Sequence, residues 1–399
     1  MVIPDIRRLV PRTSEEGGVW LYVLHLLTVW ALALSNVFMG LAVLVSLENG
    51  LKAPWRGFAA VLRPLGLYAL FVLAAIAGSY DPRLSLGGAR ELLSLITLPL
   101  AFVLLRDEET RIRRLVDAVV VLGALLGAYG LGQLLFGFGG LYQRIRGPFS
   151  HWMTFAGVLV ICLLLVAARL AHRPRSRLPW RWAALAIMAA ALVMSLTRSA
   201  WVALLLALVV LLALRAPRYL AAVPVAGLLL VLLAPVPVVE RMTSVFDVRG
   251  VSNYDRLCMA EAGLLMISEK PLFGIGPEMV RQRYPIYHHA SAPRRSTPHL
   301  HNTFLQIGAE NGLPALAAYL WLMGGTALLA FRRFRAEGGW AGSRADLYIG
   351  VVLVLLGFNL AGLFEDNWAD TEVQRLVLFV LAIPHCLPAR SNTGSAVSA

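Results

Sequence analysis

Charged side chains are scarce in this chain of 399 residues. They make up 15% of the residues, whereas hydrophobic residues make up 58%. Soluble globular domains carry about 25% charged residues, so these charges are too few to cover the surface of two or three soluble domains. Together with a mean hydropathy of +0.70, the composition predicts an all-α, polytopic integral membrane protein.

Lysine and cysteine are also rare. Lys52 and Lys270 are the two lysines, so the 36 basic residues behind the net charge of +13 are almost all arginines. The arginine side chain matches the geometry of phosphate, although the cytoplasmic loops of any membrane protein are also rich in it. Cys162, Cys258 and Cys386 have no CxxC spacing, which gives no support to a zinc knuckle or a disulfide framework.

Common nucleotide and hydrolase motifs are missing. The sequence contains no convincingly placed GxGxxG, Walker loop, HExxH or nucleophile elbow. ATP-driven transport and hydrolase chemistry therefore lack support. No feature of the sequence indicates binding to nucleic acid.

Apolar runs long enough to cross a membrane fill most of the chain. A hydrocarbon core about 30 Å thick needs about 20 apolar residues per helix, with shorter spans tolerated. On this basis we expect about twelve transmembrane helices, the first two separated at Ser35 and Asn36; one long tilted helix is the alternative for that pair. The runs are 20–47, counted as two, and 58–78, 86–105, 115–136, 152–170, 182–196, 200–214, 220–234, 303–331, 347–364 and 373–387.

The basic residues indicate the orientation, because positive loops favour the cytoplasm. With the N-terminus inside, 22 of the 36 basic residues lie on the inner side and six lie in short outer loops. The predicted organisation is a cytoplasmic tail at 1–18, nine helices over 19–234, a large periplasmic loop at 235–302, three helices over 303–388 and a cytoplasmic tail at 389–399.

The large outer loop is too long to be structureless. Apolar residues recur at helical spacing over 253–270, and Pro271 ends the pattern. We expect an amphipathic helix there, lying at the outer membrane interface, although a helix that simply covers the bundle has the same pattern. The apolar positions are Leu257, Ala260, Leu264, Leu265 and Ile267.

Two outer arginines are candidates for binding an anion. Arg198 lies between two short apolar spans, with almost no loop to hydrate it. A charged side chain at this position needs a partner, and the anionic headgroup of a ligand is one. Alternatively, the side chain snorkels to the membrane–water interface and anchors the end of the helix. Arg256 begins the amphipathic helix, and a surface ion pair with Asp255 or Glu261 is the alternative interpretation.

Two histidines, His299 and His301, directly precede a membrane helix, and Arg294 and Arg295 lie just upstream. Histidine accepts a proton near neutral pH, so this arrangement suits a base next to an anion. Solvated histidines without a role are the alternative. The stretch 290–298 contains no acidic residue to support a metal, so no metal site is predicted.

Two further outer loops are weaker candidates. Arg144 and Arg146 lie in a glycine-rich loop that suits the rim of a substrate site, or a simple connector. Glu365, Asp366 and Asp370 make the last outer loop acidic. That loop is a possible base or cation site, but a solvated face is the favoured interpretation.

Three short elements, in this order and all on the outer side, resemble the bacterial O-antigen ligase and polymerase superfamily. They are the Thr-Arg-Ser-Ala turn at 197–200, Arg256 with the Lys-Pro-Leu-Phe-Gly-Ile-Gly-Pro sequence at 270–277, and His301-Asn302 followed by Gly312. The family prefers Gly, Thr or Tyr three residues after that glycine, where this chain has Ala315. The resemblance covers about residues 182–331.

The resemblance implies a GT-C-like glycosyltransferase of the bacterial inner membrane whose active site faces the periplasm. Such an enzyme transfers a glycan from undecaprenyl diphosphate to a sugar hydroxyl of lipid A-core, among membrane lipids and without a metal, a nucleotide or another cofactor. It implies His301 as general base, His299 as a supporting or alternative base, and Arg198 and Arg256 as catalytic residues that stabilise the diphosphate. The residues expected to contact substrates are Arg198, Arg256, Arg294, Arg295, Arg144, Arg146 and Asn302.

Other functions fit parts of the same pattern. An O-antigen polymerase uses the same donor with a second lipid-linked glycan as acceptor, and a pilin-type protein O-glycosyltransferase uses a protein. A transporter or flippase for an anionic lipid-linked sugar also fits twelve spans, but two similar halves would support it and no convincing internal repeat is present. An interaction scaffold would leave the order of the three elements unexplained.

Overall fold

The computed structural model describes residues 14–137, 144–172, 179–233, 236–244, 247 and 250–388. This part of the chain is helical and contains no strand. The predicted tail at 389–399 lies outside it, and the first helix begins at Ser14, within the predicted N-terminal tail.

Seventeen α-helices make up the described chain, joined by short turns and four 3₁₀ segments. In chain order they are α1 (Ser14–Leu27), α2 (Leu32–Lys52), α3 (Ala59–Ala77), α4 (Pro82–Ser85), α5 (Arg90–Ser94), α6 (Thr97–Leu105), α7 (Glu109–Leu135), α8 (Trp152–His172), α9 (Pro179–Met194), α10 (Arg198–Arg215), α11 (Ala222–Leu233), α12 (Val236–Thr243), α13 (Val251–Glu269), α14 (Met279–Tyr287), α15 (Thr303–Ala336), α16 (Ala345–Gly362) and α17 (Thr371–Cys386).

Eight helical segments of the described chain are long and apolar enough to cross a membrane. They confirm the prediction of an all-α, polytopic membrane protein. The shorter helices α1, α9, α11 and α17 lie at the remaining predicted spans, and the total of twelve stays a prediction. The eight segments are Leu32–Lys52, Trp55–Ala77, Pro82–Leu105, Glu109–Leu135, Trp152–His172, Arg198–Arg215, Thr303–Ala336 and Ala345–Gly362.

The predicted break between the first two helices is misplaced. The chain turns between Leu27 and Leu32, and both Ser35 and Asn36 lie inside α2. Their side chains accept hydrogen bonds from the buried guanidinium of Arg375 on α17, with 2.7 Å between Arg375 Nη1 and Ser35 Oγ. The polar pair therefore joins two helices instead of separating them, because a buried arginine must have its donors satisfied.

Helices α8 and α16 pack together at the centre of the bundle, where most of their side chains are buried. Around them, the outer helices leave large apolar side chains exposed, as helices that face lipid do. Leu205 and Leu206 of α10 and Leu320 and Trp321 of α15 are examples. Helix α17, which packs against both α8 and α16, is likewise buried on nearly every side and completes this core.

Ion pairs gather at the end of the bundle that carries the predicted inner loops. Arg113 lies 2.9 Å from Asp346, and Arg344 lies 2.7 Å from Glu109. These pairs join the starts of α7 and α16. The three motif elements lie at the other end of the same helices. The arginines of the predicted inner loops and those of the motif elements are therefore at opposite ends of the bundle, as the loop charges predict. Which end faces the cytoplasm stays a prediction.

Helix α13 confirms the helix expected near 253–270, but its buried side differs from the expected apolar positions. Cys258, Met259, Ala262 and Met266 are buried, and α13 packs against α15. Leu257, Leu264 and Leu265 are exposed instead. The helix is apolar on two sides, one for the bundle and one left exposed; the position of that second side at the membrane interface stays a prediction.

The second and third motif elements are joined by hydrogen bonds at a kink in α15. Gly312 has φ +84°, outside helical geometry, and Pro314 has no amide hydrogen to donate back along the helix. The carbonyls of Ala309 and Glu310 accept hydrogen bonds from Ile275 N at 2.8 Å and Gly276 N at 3.0 Å. The glycine-rich turn therefore supplies the donors that the kinked helix lacks.

Replacing Gly312 with alanine should lower the melting temperature of the detergent-solubilised protein. A Cβ at this position would lie 2.3 Å from the Leu272 carbonyl oxygen, and a positive φ alone costs a non-glycine residue on the order of 1–3 kcal/mol. Gly324→Ala is the matched control, because it lies in the same helix and a Cβ there meets no atom within 4 Å. Equal melting temperatures for the two variants would contradict this account of the kink.

Candidate active site

His301 is held in position by the start of α15. Its φ is +50°, a left-handed value that is strained for histidine, and the next residue caps the helix. Asn302 Oδ1 accepts from Leu305 N at 2.9 Å, while Asn302 Nδ2 donates to the Leu363 carbonyl at 3.0 Å. Thr303 Oγ1 also donates to the Glu365 carbonyl at 3.1 Å. These bonds fasten the loop between α16 and α17 beside His301.

Glu365 is the partner that this loop brings to His301. Nδ1 of His301 lies 3.0 Å from Oε2 and 3.2 Å from Oε1 of Glu365. Burial raises the pKa of Glu365, but the hydrogen bond from His301 and Coulombic interactions with His301, His299 and Arg256 outweigh it, so the net pKa is lowered. An ionised Glu365 accepts the Nδ1 proton of His301 and leaves Nε2 free to accept another.

His299 lies against His301, with 4.2 Å between the ring centroids. Its Nε2 is 3.8 Å from Glu365 Oε1. Burial lowers the pKa of His299 to about 4, despite the opposing effect of Glu365. His299 is therefore neutral near pH 7, and the pair of histidines shares one carboxylate.

His299, His301 and Glu365 are also a group that could hold a metal ion. One ligand atom from each lies within 4.8 Å of the other two. Two imidazoles and a carboxylate are a ligand set that zinc accepts. The same atoms already satisfy one another by hydrogen bonding and charge, so the expectation of metal-independent chemistry stays a prediction that a chelator can test.

Arg198 begins α10 and is buried. Its guanidinium donates to the Ser244 carbonyl at 2.6 Å and to Asn253 Oδ1 at 3.0 Å. Both acceptors are neutral, and no described carboxylate lies within ion-pair distance of Arg198. The side chain is thus fixed in direction by neutral acceptors, and the charge of Asp247 acts on it only from beyond ion-pair distance.

Three more arginines surround Arg198. Arg144 stacks on the ring of Trp152, and Arg241 donates to the Leu196 carbonyl. Burial lowers the pKa of Arg144, Arg241 and Arg256, to about 10 for Arg241. Repulsion from other arginines of the group adds to the effect on Arg144 and Arg241, whereas Glu365 and Asp255 partly oppose it at Arg256. We name Arg144, Arg198, Arg241 and Arg256 the arginine cluster; no described acid forms an ion pair with any of them.

Four guanidinium groups that form no ion pair with a described acid are suited to binding an anion of high charge. Burial strengthens the field of the four guanidinium groups, and their forked donors match phosphate oxygens. The cluster adjoins the histidines, since the charge of Arg256 acts on both His299 and Glu365. Among the described residues, the structure thus places the arginine cluster directly beside a candidate base.

The other expected contact residues lie apart from the cluster. Arg146 donates to the Ser150 carbonyl in its own loop, and Arg294 forms an ion pair with Asp255 at 3.2 Å. Arg295 is exposed. Both ends of the Asn302 side chain form the backbone hydrogen bonds described above, to Leu305 N and the Leu363 carbonyl, which is a structural role. The surface ion pair considered for Arg256 is formed by Arg294 instead.

Sequence reasoning missed one member of this site and misjudged another. Arg241 received no role, although it lies in the same predicted outer segment as Arg256. For Glu365 and Asp366 a solvated face was favoured over a base or cation site, and this is wrong: both are buried, at 5% and 6% exposure. The available signal for burial was the position of these acids in a short loop between two apolar spans. A loop that short can expose only a few of its residues to water.

The fold and the site define a polytopic helical membrane protein with an anion-binding arginine cluster next to a histidine–carboxylate pair. Residues 183–320 match the family model described as O-Antigen ligase. The match confirms the resemblance found in the three motif elements and supports membership of the O-antigen ligase and polymerase superfamily.

Proteins of this family are glycosyltransferase-like enzymes of O-antigen and lipopolysaccharide pathways. The matched segment includes Arg198, Arg241, Arg256 and both histidines, whereas Arg144 and Glu365 lie outside it. A comparison with functionally curated proteins gives no match.

Arg241→Ala should weaken binding of inorganic diphosphate by about tenfold or more, because a hydrogen bond to a charged group contributes about 1.5–3 kcal/mol. Arg241→Lys should recover part of the affinity, because lysine restores the positive charge but not the paired N–H donors of a guanidinium group. Arg281→Ala removes an exposed outer arginine and serves as control. Equal affinities for Arg241→Ala and Arg281→Ala would remove Arg241 from the cluster.

Asp366→Asn should stabilise the protein increasingly as the pH rises. Burial, followed by the charge of Glu365, raises the pKa of Asp366 from 3.8 to about 7. Below about pH 4 the carboxyl is protonated both folded and unfolded, and between about 4 and 7 the unfolded state loses its proton first, so wild-type stability falls. The melting temperatures of wild type and Asp366→Asn should therefore diverge across this range and differ by a constant amount above pH 7. A difference that is the same at every pH would contradict the raised pKa of Asp366.

Proposed function

We propose that this protein is an O-antigen ligase. It transfers a glycan from undecaprenyl diphosphate to a sugar hydroxyl of lipid A-core, at the periplasmic face of the bacterial inner membrane. The observation that carries the proposal is the His301–Glu365 pair beside four arginines that form no ion pair with a described acid, in a chain whose residues 183–320 match the O-antigen ligase family model.

The arginine cluster binds the diphosphate of the donor. As the bond between the anomeric carbon and the phosphate oxygen breaks, both electrons leave with undecaprenyl diphosphate. Fixed guanidinium groups stabilise this growing negative charge without reorganising, which is a large contribution in a buried site. The diphosphate is a good leaving group, so no nucleotide is needed to drive the transfer.

His301 activates the acceptor. A sugar hydroxyl becomes an effective nucleophile when a base removes its proton, and Nε2 of His301 is the free nitrogen of the pair. The acceptor oxygen forms the new bond to the anomeric carbon while its proton moves to Nε2. Glu365 stabilises the resulting imidazolium. Direct attack inverts the anomeric centre, and none of the described residues of the site is an evident covalent nucleophile.

Transfer by purified protein in reconstituted membranes tests this assignment. With undecaprenyl-diphosphate glycan and lipid A-core, without nucleotide and with EDTA, wild-type protein should glycosylate lipid A-core. His301→Ala should lower the rate by about 10²–10⁴-fold, the usual contribution of a general base. Glu365→Gln should lower it by about 100-fold or more, because an amide can donate to Nδ1 and so move the proton to Nε2.

Glu261→Gln, which removes an exposed outer carboxylate, is the control and should transfer at the wild-type rate. Full activity of folded His301→Ala would overturn the role of the base. If the donor glycan is lengthened on its lipid carrier, the acceptor is a second donor molecule and the protein is a polymerase. Loss of transfer with EDTA that zinc restores would assign the histidine–carboxylate group to a metal.

A further inference from the structure

One histidine beside the candidate site has no part in the reaction described above. His151 lies directly before α8 and lines a cavity of about 710 Å³ that His299, His301 and Glu365 also line. Electrostatic interactions reach its ring from Glu365, His301 and Arg144. His151 therefore lies near both the candidate base and a member of the arginine cluster.

The loop that carries His151 is built into the fold. Gln133 of α7 donates from Nε2 to the Gly147 carbonyl at 2.8 Å, and its Oε1 accepts from the amides of Arg146 and Gly147 at 3.2 and 3.1 Å. Ile145 and Phe149 of the same loop are buried, at 1% and 4% exposure. The loop thus has a defined conformation up to the start of α8.

A further hydrogen bond joins the start of α8 to the loop that carries Glu365. Thr154 Oγ1 donates to Asp370 Oδ2 at 2.9 Å, and Thr154 follows His151 by less than one helical turn. Thr303 fastens the same α16–α17 loop beside His301. These bonds fix His151 relative to the histidine–carboxylate pair.

One nitrogen of the His151 ring caps α8. The His151 carbonyl accepts from Phe155 N and its Nδ1 accepts from Met153 N, both at 3.3 Å, as at an N-cap. A ring nitrogen that accepts carries no proton, so the neutral ring carries its proton on Nε2. Burial lowers the pKa of His151 despite the opposing effect of Glu365, and the ring is therefore neutral near pH 7.

Two polar groups in this cavity lack partners within the described chain. Nε2 of His151 is a donor without a hydrogen-bond partner there. Asn311, which also lines the cavity and is 7% exposed, has a side-chain oxygen without one. Such groups cost free energy unless a ligand or water satisfies them. A free donor and a free acceptor suit a sugar, because its hydroxyl groups both accept and donate.

The position of His151 relative to the arginine cluster also favours a sugar over the diphosphate. None of the four arginines of the cluster lines the cavity. Trp152 lies between the two sites: its ring centroid is 4.2 Å from that of His151 and 4.8 Å from Cζ of Arg144. With the diphosphate on the cluster and the accepting hydroxyl at His301, the two sugars that react meet in the region between, where His151 lies.

We propose that His151 is a substrate-binding residue of the transfer and donates a hydrogen bond from Nε2 to an oxygen of the sugar beside His301. The inference rests on the proposed transferase function and adds a contact to it. The oxygen belongs either to the acceptor sugar or to the sugar that is transferred, and the kinetics of the two substrates distinguish these sources.

Two variants separate the cap from the donor. His151→Asn places an amide oxygen near the position of Nδ1 and is a favoured N-cap, but its side chain does not reach the position of Nε2. His151→Gln places an amide near Nε2 and can donate there, although an amide does not act as a base. His289→Asn changes an exposed histidine outside the cavity and is the control.

Initial rates of transfer to lipid A-core should be measured with each substrate varied in turn. His151→Asn should lower kcat/KM by about fivefold or more, as expected for the loss of one hydrogen bond, with a melting temperature no lower than that of wild type. His151→Gln should stay within about twofold of wild type because it restores the donor. A fall confined to the acceptor assigns the oxygen to the acceptor sugar, and a fall confined to the lipid-linked donor assigns it to the transferred sugar.

Other results would overturn the inference. Wild-type kcat/KM in His151→Asn would mean that the cap is the whole role of His151. Equal losses in His151→Asn and folded His151→Gln would mean that a donor at Nε2 has no effect. If His151→Gln does not fold, the comparison of His151→Asn with His289→Asn decides, and equal rates overturn the inference.

The same measurements keep the two proposals apart. Each of these contrary results leaves the transferase function standing, because wild-type protein still glycosylates lipid A-core. Absence of transfer by wild-type protein that binds undecaprenyl diphosphate overturns the transferase function, and the role of His151 with it.

Discussion

The kink in α15 leaves backbone carbonyls that its own helix cannot satisfy, and the packing at the end of the bundle that carries the candidate site depends on donors from another segment. Pro314 has no amide hydrogen and Gly312 departs from helical geometry. The donors come from Ile275 and Gly276, so a turn distant in sequence is held against the helix. Because the half-helix before the kink begins next to His301, the position of the candidate base depends on the same joint.

Charge is divided across the candidate site in the direction that the proposed reaction requires. The arginine cluster lies where negative charge would grow on a leaving diphosphate, and the ionised Glu365 lies against His301. Both are fixed by helices and buried hydrogen bonds, so little reorganisation would accompany the proposed transfer of charge.

Local patterns predicted the local features of this protein well. Hydropathy identified the membrane helices, and the ordered motifs identified Arg198, Arg256 and His301, which the structure brings to one end of the bundle. Features that depend on contacts between distant segments were missed or misjudged. Glu365 lies 64 residues from His301 in the chain, and Ser35 and Asn36 resembled a turn because their partner, Arg375, lies on the last helix. Hydropathy and spacing describe neighbours along the chain, whereas these pairings depend on how helices pack.

The bond between Arg375 and Ser35 also bears on how the protein is made. The two residues are 340 positions apart, so during synthesis the first pair of helices enters the membrane long before its arginine partner exists. Ser35 can bond to His25 on α1 meanwhile, but Asn36 must spend that interval facing water, lipid headgroups or an insertion factor. The first helices can therefore reach their final packing only after the last helix has been inserted. Assembly of the bundle is completed when the first and last helices of the chain pack against each other.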